Sequence, residues 1–361
     1  MKRKKLIRLM VTLLSAVFIF MSVFTGSAWA KTFKLTVGGG APADVWPPFT
    51  VLRDFWCAEV KKQVEAKTKH KIEYDFQWVS LTKIAEDLEA IQRGILHVGA
   101  PLPVFEPSKL FIHSFGHFAP FGTSDLMKAT RVNMEVYENI PFLRDAYEKR
   151  FGQKWLGVFS YEDYDLFTTF PVEKLEDMQG HKIACVGMNC PWIANIGVVP
   201  VKSGFAEAYT SLQTGVYDGF MAFLTGYYNY KFYEVAGHFT YLGLGCTSAG
   251  SLTVNMKVWK SLPKEIQEIM IDVGRQYPFE VAKAVEARRT LAKEELLKKG
   301  IQFHTMSMAE KRKWMLKLGD MADMRAKEAD KMGFPGTEVM KYYVDAMARA
   351  GHEWPIKWEI K

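Results

Sequence analysis

The sequence offers few residues whose types and spacing could carry out a reaction. It contains no Gly-x-Ser-x-Gly elbow of hydrolases, no His-Glu-x-x-His pair of zinc proteases and no Gly-x-x-x-x-Gly-Lys-Ser/Thr phosphate loop. The glycines at 38–40 lack the spacing of a dinucleotide-binding loop, and no Cys-x-x-Cys redox pair occurs. Because no nucleophile, acid–base pair or metal set is evident, the sequence predicts neither an enzyme nor a cofactor.

Two histidines have the spacing of metal ligands. His113 and His117 stand four residues apart, which would place both side chains on one face of a helix. Gly116 and the aromatic neighbours Phe115 and Phe118 disfavour a stable helix there, and no third ligand is evident. We therefore expect packed or surface histidines and no metal.

Large aromatic residues follow several predicted strands. In open parallel sheets, ligands bind in the crevice outside the carboxyl ends of the strands, so the loops at those ends would line a cleft. Any one aromatic residue is nevertheless more often part of the core than a ligand contact. The aromatic residues in these positions are Trp46, Phe105, Tyr161, Tyr164, Trp192, Phe205, Phe220 and Phe223.

The N-terminal segment has the pattern of an export signal. Residues 1–30 carry five basic side chains, then the apolar stretch Leu9–Phe24 and a small-x-small sequence at 28–30. This order indicates a cleavable signal peptide and a mature, periplasmic chain that begins at Lys31. An uncleaved anchor is the alternative, although an apolar run of about 16 residues is shorter than the roughly 20 that span a bilayer.

Removal of the signal also changes the charge of the chain. The formal net charge falls from +7 to +2, because the removed segment holds five basic residues and no acidic one. No basic stripe with interleaved aromatic residues follows it. The sequence therefore predicts no nucleic-acid partner.

Four cysteines are present: Cys57, Cys185, Cys190 and Cys246. An oxidising compartment permits up to two bridges, and Cys185 and Cys190 are close enough in sequence to pair. Cysteine is also commonly buried without bonding. We expect buried free thiols, with disulfide bridges as the alternative.

The pattern of the mature chain is that of an α/β protein. Its length exceeds the usual size of a single core, which favours two domains. Predicted strands alternate with helical segments, a succession typical of parallel sheets. The predicted strands are 32–37, 72–78, 95–98, 156–159, 182–186, 198–201 and 216–223.

Beyond residue 261 the pattern becomes helical. Pro278 is expected to kink or break the first helix, because proline lacks the N–H that the helix needs. Amphipathic helices are predicted at 282–299, 309–331 and 337–350. Trp354 and Trp358 are expected to pack the C-terminal tail onto the body.

Separated segments of the chain carry a family resemblance. Lys174–Ile183, Phe205–Gly219 and Lys231–Val235 resemble the DctP-type substrate-binding proteins of TRAP (tripartite ATP-independent periplasmic) transporters. The Ile91–Gly94 turn and the segment Val254–Pro263 fall in the order and spacing of the same family. The resemblance covers most of the mature chain.

The resemblance implies a two-lobed, class II periplasmic-binding-protein fold of the α/β class, with hinge strands and a long helix that spans both lobes. Crossings between the lobes are expected near residues 155–160 and 245–256. The expected domains are a signal peptide at 1–30, lobe I at 31–155 with 250–280 returning to it, lobe II at 156–249, and C-terminal helices at 281–361 that pack across both lobes.

The resemblance also implies a mechanism and partners. A small organic molecule closes the cleft between the lobes, and the closed form, expected to be a monomer, delivers it to the membrane subunits of a TRAP permease driven by an ion gradient. A ligand favours the closed state because it contacts both lobes only there. A sensory role, in which the closed form docks on a membrane receptor, is the alternative.

Departures from the family pattern concern the ligand. Most relatives hold a carboxylate with an Arg at the position of Ala184, and a second basic contact aligns with Tyr164 or Asp165. The polar run that usually follows Asp-Gly reads Phe220–Phe223 here. Burial of a carboxylate without a paired cation costs several kcal/mol, whereas buried apolar area contributes about 25 cal/mol per Å². The expected ligand therefore has an apolar or aromatic body.

The expected ligand contacts are Trp46, Tyr161, Tyr164, Asp165, Ala184, Met188, Trp192, Phe205, Phe220 and Phe223. Two alternatives remain open. A cationic head group beside Asp165 could be held by cation–π contacts. A conventional organic acid could be held by basic residues elsewhere in the chain.

Overall fold

A computed structural model describes residues 30–361. The predicted signal peptide therefore lies, apart from Ala30, outside the described residues, and cleavage before Lys31 stays a prediction. Within residues 30–361, no helix combines the length and the apolar character that crossing a bilayer requires.

The strands form two sheets. In chain order they are β1 Thr32–Gly39, β2 Lys71–Trp78, β3 Val98–Gly99, β4 Gln153–Ser160, β5 Asp165–Thr168, β6 Lys182–Cys185, β7 Val199–Lys202, β8 Gly219–Ala222, β9 His238–Tyr241, β10 Ser248–Asn255 and β11 Gln302–Thr305. The first sheet has the order β2-β1-β3-β10-β4, and the second has the order β11-β9-β5-β8-β6-β7. We call the bodies built on them the first and second lobes.

Helices cover the sheets. The α-helices are α1 Pro47–Val51, α2 Ala58–Lys67, α3 Asp87–Arg93, α4 Pro107–Leu110, α5 Leu126–Asn139, α6 Pro141–Asp145, α7 Phe205–Gln213, α8 Leu224–Asn229, α9 Met256–Ser261, α10 Lys264–Lys298, α11 Met308–Leu318, α12 Met321–Lys331 and α13 Gly336–Arg349. Short 3-10 helices include Phe111–Phe118 and Gly187–Ile193, and π-helical turns span Leu52–Cys57 and Ala146–Arg150. The predicted α/β class with two lobes is confirmed.

The first sheet is built around β1. β1 and β2 pair in parallel along their full lengths, whereas β10 runs antiparallel to β3 and β4. Alternate side chains of β1 face the core, with Phe33, Leu35 and Val37 all buried. The second sheet mixes parallel and antiparallel pairs, and β5 runs antiparallel to both of its neighbours.

The chain passes between the sheets three times. β4 is followed by β5 across residues 161–164, β9 is followed by β10 across residues 242–247, and helix α10 makes the third connection. The crossings lie next to the expected regions, directly after 155–160 and overlapping 245–256 only at 245–247. The expected regions lie largely in β4 and β10, and the antiparallel pairing of the two strands keeps both in the first sheet.

The predicted lobe boundaries at residues 155 and 249 fall inside these same strands. We propose to move both boundaries to the crossing segments 161–164 and 242–247, because each strand of the first sheet then stays in one lobe. The C-terminal helices stay a separate unit in this division.

Helix α10 connects the lobes as one uninterrupted element of 35 residues. The predicted break at Pro278 is therefore wrong. Burial along its length compensates for the missing N–H: Val273 and Tyr277 pack in the core of the first lobe, and Leu296 packs in the core of the second. A helix fixed at both ends by tertiary packing tolerates a proline that an isolated helix would not.

The C-terminal region packs on both lobes. The single helix predicted over 309–331 is two helices, because Gly319 adopts a positive φ of 60° and ends α11. The Trp314 indole of α11 donates to the carbonyl of Trp192 at 2.8 Å. The Trp358 indole donates to the carbonyl of Pro120 at 3.1 Å, which confirms that the tail packs on the body.

Two of the four cysteines form a disulfide, Cys185–Cys190, so the expectation of free thiols is wrong for this pair. β6 ends at Cys185, and the following 3-10 helix folds back on it, which brings the two Cα atoms to 5.1 Å, within the range of a bridge. Cys57 and Cys246 are buried free thiols, as expected.

Candidate functional site

A cavity lies where the two sheets face each other across the crossing segments. Its walls come from the residues that follow β1, β3, β4, β6 and β8 and from the start of β10, which is the edge where open α/β sheets bind ligands. Its lining residues are Trp46, Pro48, Leu102, Val104, Phe105, His117, Phe159, Tyr161, Tyr164, Val186, Phe205, Met221, Ala222, Phe223, Thr247 and Ala249.

The cavity is small in this structure. Its volume is about 50 Å³, whereas an engineered cavity that accommodates benzene measures about 150 Å³. An occupant with an aromatic ring therefore requires its walls to move apart. Because those walls belong to both lobes, a separation of the lobes would make that room.

Aromatic rings from both lobes meet in the cavity wall. Trp46, which precedes α1 in the first lobe, lies 5.9 Å from Tyr161 and 6.1 Å from Phe223, centroid to centroid. Tyr161 is on the first crossing segment, and Phe223 follows β8 in the second lobe, with 4.8 Å between their rings. Phe205 at the start of α7 lies behind Phe223 in a tilted arrangement, with 5.3 Å between the ring centroids. The wall thus joins two lobes and the hinge through ring contacts.

Five of the ten predicted contacts line this cavity: Trp46, Tyr161, Tyr164, Phe205 and Phe223. They come from loops after strands and from the start of a helix, as the pattern of the sequence predicts. Whether they touch a ligand stays a prediction.

The other five predicted contacts lie elsewhere in the structure. Phe220 and Ala184 pack in the core of the second lobe, and Met188 and Trp192 lie in the layer behind the cavity wall. Asp165 is buried, and its carboxylate accepts hydrogen bonds from the backbone on the second crossing segment. Asp165, which the sequence suggested as the partner of a cationic head group, therefore does not line the cavity.

His117 is the lining residue whose role the sequence did not indicate. Its ring stacks on Trp192 at 5.5 Å and meets Tyr164 edge-on at 5.6 Å. The sequence pairs it with His113, but the His113 ring lies 2.8 Å from the Tyr137 hydroxyl and outside the cavity. The two histidines thus have separate environments, although both belong to the 3-10 helix Phe111–Phe118. The signal available in the sequence was that His117 is a polar residue among aromatic neighbours.

Buried carboxylates tie the crossing segments to the lobes. Glu162 accepts hydrogen bonds from the backbone N–H, at 3.2 Å, and from the hydroxyl of Thr225 at the start of α8. Its carboxylate also lies 3.7 Å from the guanidinium of Arg289 on α10. Burial raises the pKa of Glu162 to about 7, although Thr225 and Arg289 oppose the shift.

Two aspartates bind the second crossing segment: Asp163 on the first crossing segment and Asp165 at the start of β5. Asp163 accepts from the N–H of Gly245, and Asp165 accepts from the N–H groups of Leu242 and Gly243 at 2.8 and 3.2 Å. Burial raises the pKa of both carboxyl groups above the ordinary value. The hinge is therefore a hydrogen-bonded unit, in which the two carboxylates accept from backbone N–H groups of the second segment and the Tyr161 N–H donates to the Thr247 carbonyl at 3.2 Å.

The family comparison covers most of the chain. The model of the family described as "Bacterial extracellular solute-binding protein, family 7" (DctP) matches residues 43–328. A solute-binding protein of Sulfitobacter sp. strain NAS-14.1 is 27% identical over 136 residues, which are 37% of this chain and 41% of that protein. The C4-dicarboxylate-binding periplasmic protein DctP of Shewanella loihica is 30% identical over 141 residues, which are 38% and 42%. The matched segments thus span about two-fifths of each relative.

Solved structures share the fold over nearly the whole described chain. A TRAP periplasmic solute-binding protein of Desulfovibrio salexigens, in an open complex, has a TM-score of 0.78 at 19% identity and covers 89% of this chain and 98% of its own. One of Bordetella bronchiseptica with bound (R)- and (S)-mandelate has a TM-score of 0.75 at 19% identity and covers 88% and 99%. A marine metagenome protein with bound 3-hydroxybenzoate has a TM-score of 0.76 at 16% identity and covers 90% and 100%.

Proposed function

The chain belongs to the bacterial extracellular solute-binding proteins of family 7, and from this premise we propose that it captures a small organic molecule between its lobes outside the cytoplasm and passes it to a TRAP-type membrane permease. It acts as a binding protein and not as an enzyme. The observation that carries this proposal is the cavity at the hinge, whose walls come from both lobes and from the crossing segments.

The ligand has an aromatic or apolar body. The cavity wall consists of Trp46, Tyr161, Phe205, Phe223 and further apolar side chains, and a flat ring fits among such groups because it can stack or meet them edge-on. Two proteins of the same fold hold mandelate and 3-hydroxybenzoate, which are aromatic acids. The family resemblance aligns Ala184 with the position at which we expect an Arg in most relatives, and Ala184 is wholly buried in the second lobe.

The mechanism is a shift of population between open and closed forms. In the closed form a ligand contacts Trp46 on one lobe and Phe223 on the other, whereas in an open form it contacts one lobe at a time. The ligand then stabilises the closed form, relative to the open form, by the difference between its binding free energies for the two forms. A micromolar ligand supplies about 8 kcal/mol, which exceeds the few kcal/mol that separate two such conformations.

A thermal-unfolding screen of the mature protein tests the ligand class. We expect mandelate, 3-hydroxybenzoate and benzoate to raise the melting temperature by several degrees, because a ligand at about 100 times its Kd stabilises the folded state by about 2.7 kcal/mol. Succinate and D-galacturonate serve as small polar acids without an aromatic ring. Stabilisation by these polar acids alone would contradict an aromatic or apolar ligand.

A further inference from the structure

His117 is a buried histidine whose ring nitrogens make no well-formed hydrogen bond among the described residues, although the Ser114 carbonyl is close enough to raise its pKa. Its side chain is 3% exposed, and its ring forms part of the cavity wall. A buried polar group without a partner costs free energy, so such groups normally find one. The ring is also held in place from behind, because Trp192 stacks on it and donates its indole N–H to the His117 carbonyl at 2.8 Å.

The cavity has no other base. Of the described residues that line it, none is Lys or Arg, and the other polar groups are the indole N–H of Trp46 and the hydroxyls of Tyr161, Tyr164 and Thr247. Tyr161 is already 3.4 Å from the Thr225 hydroxyl. An acid that enters this apolar site therefore has to be neutralised by a proton or by His117, because an unpaired buried carboxylate is strongly destabilised.

Burial favours the neutral form of His117. Burial lowers the pKa of His117 to about 4, with a smaller lowering from Arg325 and an opposing contribution from the Ser114 carbonyl. The titratable and charged groups near this helix include His113 on the helix itself with its neighbours Tyr137 and Tyr147, and Tyr164 and Tyr343. Glu106 and Lys109 pair with each other, and Asp163 and Asp165 bind backbone N–H groups. Helix α12 adds the ion pairs Arg325–Glu328 and Lys327–Asp323.

We propose that His117 is the residue that receives the polar end of the ligand, and that this end is a carboxyl group bound together with one proton held between a ligand oxygen and a ring nitrogen. The inference rests on the proposed function, because it assumes an aromatic ligand in this cavity. In this proposal, His117 and the proton neutralise the ligand carboxylate, which is the role expected of an Arg side chain in relatives that have one. The proton comes from the solvent and returns to it when the ligand leaves.

Calorimetry with benzoate and its uncharged analogue benzyl alcohol tests this role. In buffers of different ionisation enthalpy, we expect benzoate to bind with uptake of about one proton, so that its affinity rises up to about tenfold for each unit of falling pH between about pH 8 and pH 5. Benzyl alcohol binding should take up no proton and change little with pH. The proton count of the unmodified protein needs no variant that could fail to fold.

His117→Gln keeps a polar side chain of similar length but does not take up a proton. We expect it to weaken benzoate binding at least about tenfold and to abolish the proton uptake, while benzyl alcohol binding changes by less than about threefold. His113→Gln is the matched control, since His113 is equally buried on the same 3-10 helix but lies outside the cavity. The control should leave the affinity for benzoate unchanged.

The possible failures are distinguishable. If benzoate binds His117→Gln as tightly as it binds the unmodified protein, or if its binding takes up no proton, the role of His117 is wrong while the aromatic cleft stands. If neither benzoate nor the aromatic acids of the thermal screen bind at all, the proposed ligand class is wrong, and the role of His117 falls with it.

Discussion

Trp46 is the aromatic residue through which the first lobe meets the rings of the second lobe and of the hinge. Its ring contacts Tyr161 and Phe223 at 5.9 and 6.1 Å between centroids. It also precedes Pro47 and Pro48, which begin α1 and fix the direction of the backbone at this point. A ligand held between the lobes would lose its stacking partner on the first lobe if this ring were removed.

We expect Trp46→Ala to lower the affinity for the aromatic acid that gives the largest thermal shift by about 10- to 100-fold, as removal of a central aromatic contact does in other interfaces. Fluorescence or calorimetric titration would measure it. Trp354→Ala is the control, because Trp354 is also partly buried but packs against His352 and Tyr343 in the tail. Equal affinities of the unmodified protein and Trp46→Ala would show that the ligand lies elsewhere.

The residues of the site could be predicted where the chain leaves a strand, but not within a strand. Phe223 follows β8 and lines the cavity, whereas Phe220 inside β8 faces the core of the second lobe, and its neighbour Met221 faces the cavity. Successive side chains of a strand point to opposite faces, so an error of one residue in register exchanges core and cavity. The sequence alone contains no marker of that register at β8.

At the scale of the elements, the first crossing segment carries a carboxyl group whose protonation affects stability. Burial raises the pKa of Glu162 from 4.5 to about 7. The folded protein therefore binds the proton more tightly than the unfolded chain does. The resulting stabilisation is fully present below about pH 4.5 and is lost as the pH rises through about 7, a change of about 3 kcal/mol for this group.

Glu162→Gln should remove this contribution, since an amide cannot ionise. We expect the melting temperature of the variant, relative to that of the unmodified protein, to increase as the pH rises from about 5 to about 8. Glu338→Gln, at an exposed position, is the control and should show no such trend. A constant difference across this pH range would mean that Glu162 is ionised throughout it.

The long helix approaches the first sheet through a pair of glycines. A Cβ atom on Gly157 of β4 would lie 2.8 Å from the Gly274 carbonyl oxygen and 3.0 Å from Cγ of Pro278, both on α10. We expect Gly157→Ala to destabilise the protein by about 1–3 kcal/mol, because backbone has to move. Gly237→Ala is the control, since a Cβ there meets nothing within 4 Å and φ is not positive. Denaturant unfolding that finds Gly157→Ala as stable as the control would contradict this close packing.

Elements with a clear period could be predicted, and those that depend on distant contacts could not. Ile72, Tyr74, Phe76 and Trp78 alternate with polar residues, and the structure has a strand at Lys71–Trp78. Helix α10 continues through Pro278 because packing against both lobes outweighs the local preference. Packing of this kind involves residues far apart in sequence, so a local pattern does not contain it.

At the scale of the whole molecule, the N-terminus defines the exported form. The basic, apolar and small-residue order of residues 1–30 predicts that the mature chain begins at Lys31. N-terminal sequencing or intact-mass measurement of protein recovered from the periplasm would check this. We expect a mass that corresponds to residues 31–361, and a chain that keeps Met1 would support the uncleaved anchor.

The cavity of about 50 Å³ implies that the described conformation is contracted around the site. A ligand with an aromatic ring needs more room than this. The proposed mechanism therefore requires that the free protein opens before the ligand enters and that the lobes then close on it. The hydrogen-bonded crossing segments at 161–164 and 242–247 are the connections about which such a movement would turn.

Small-angle X-ray scattering with and without a bound aromatic acid tests the central claim most directly. The ligand should be the one with the largest thermal shift, and calorimetry should first establish that it saturates the protein. We expect the radius of gyration to decrease on saturation, to a value that stays above the one calculated from the contracted structure, because an occupied cavity holds its walls further apart. A scattering curve that does not change when the ligand is shown to be bound would contradict capture by closure of the lobes.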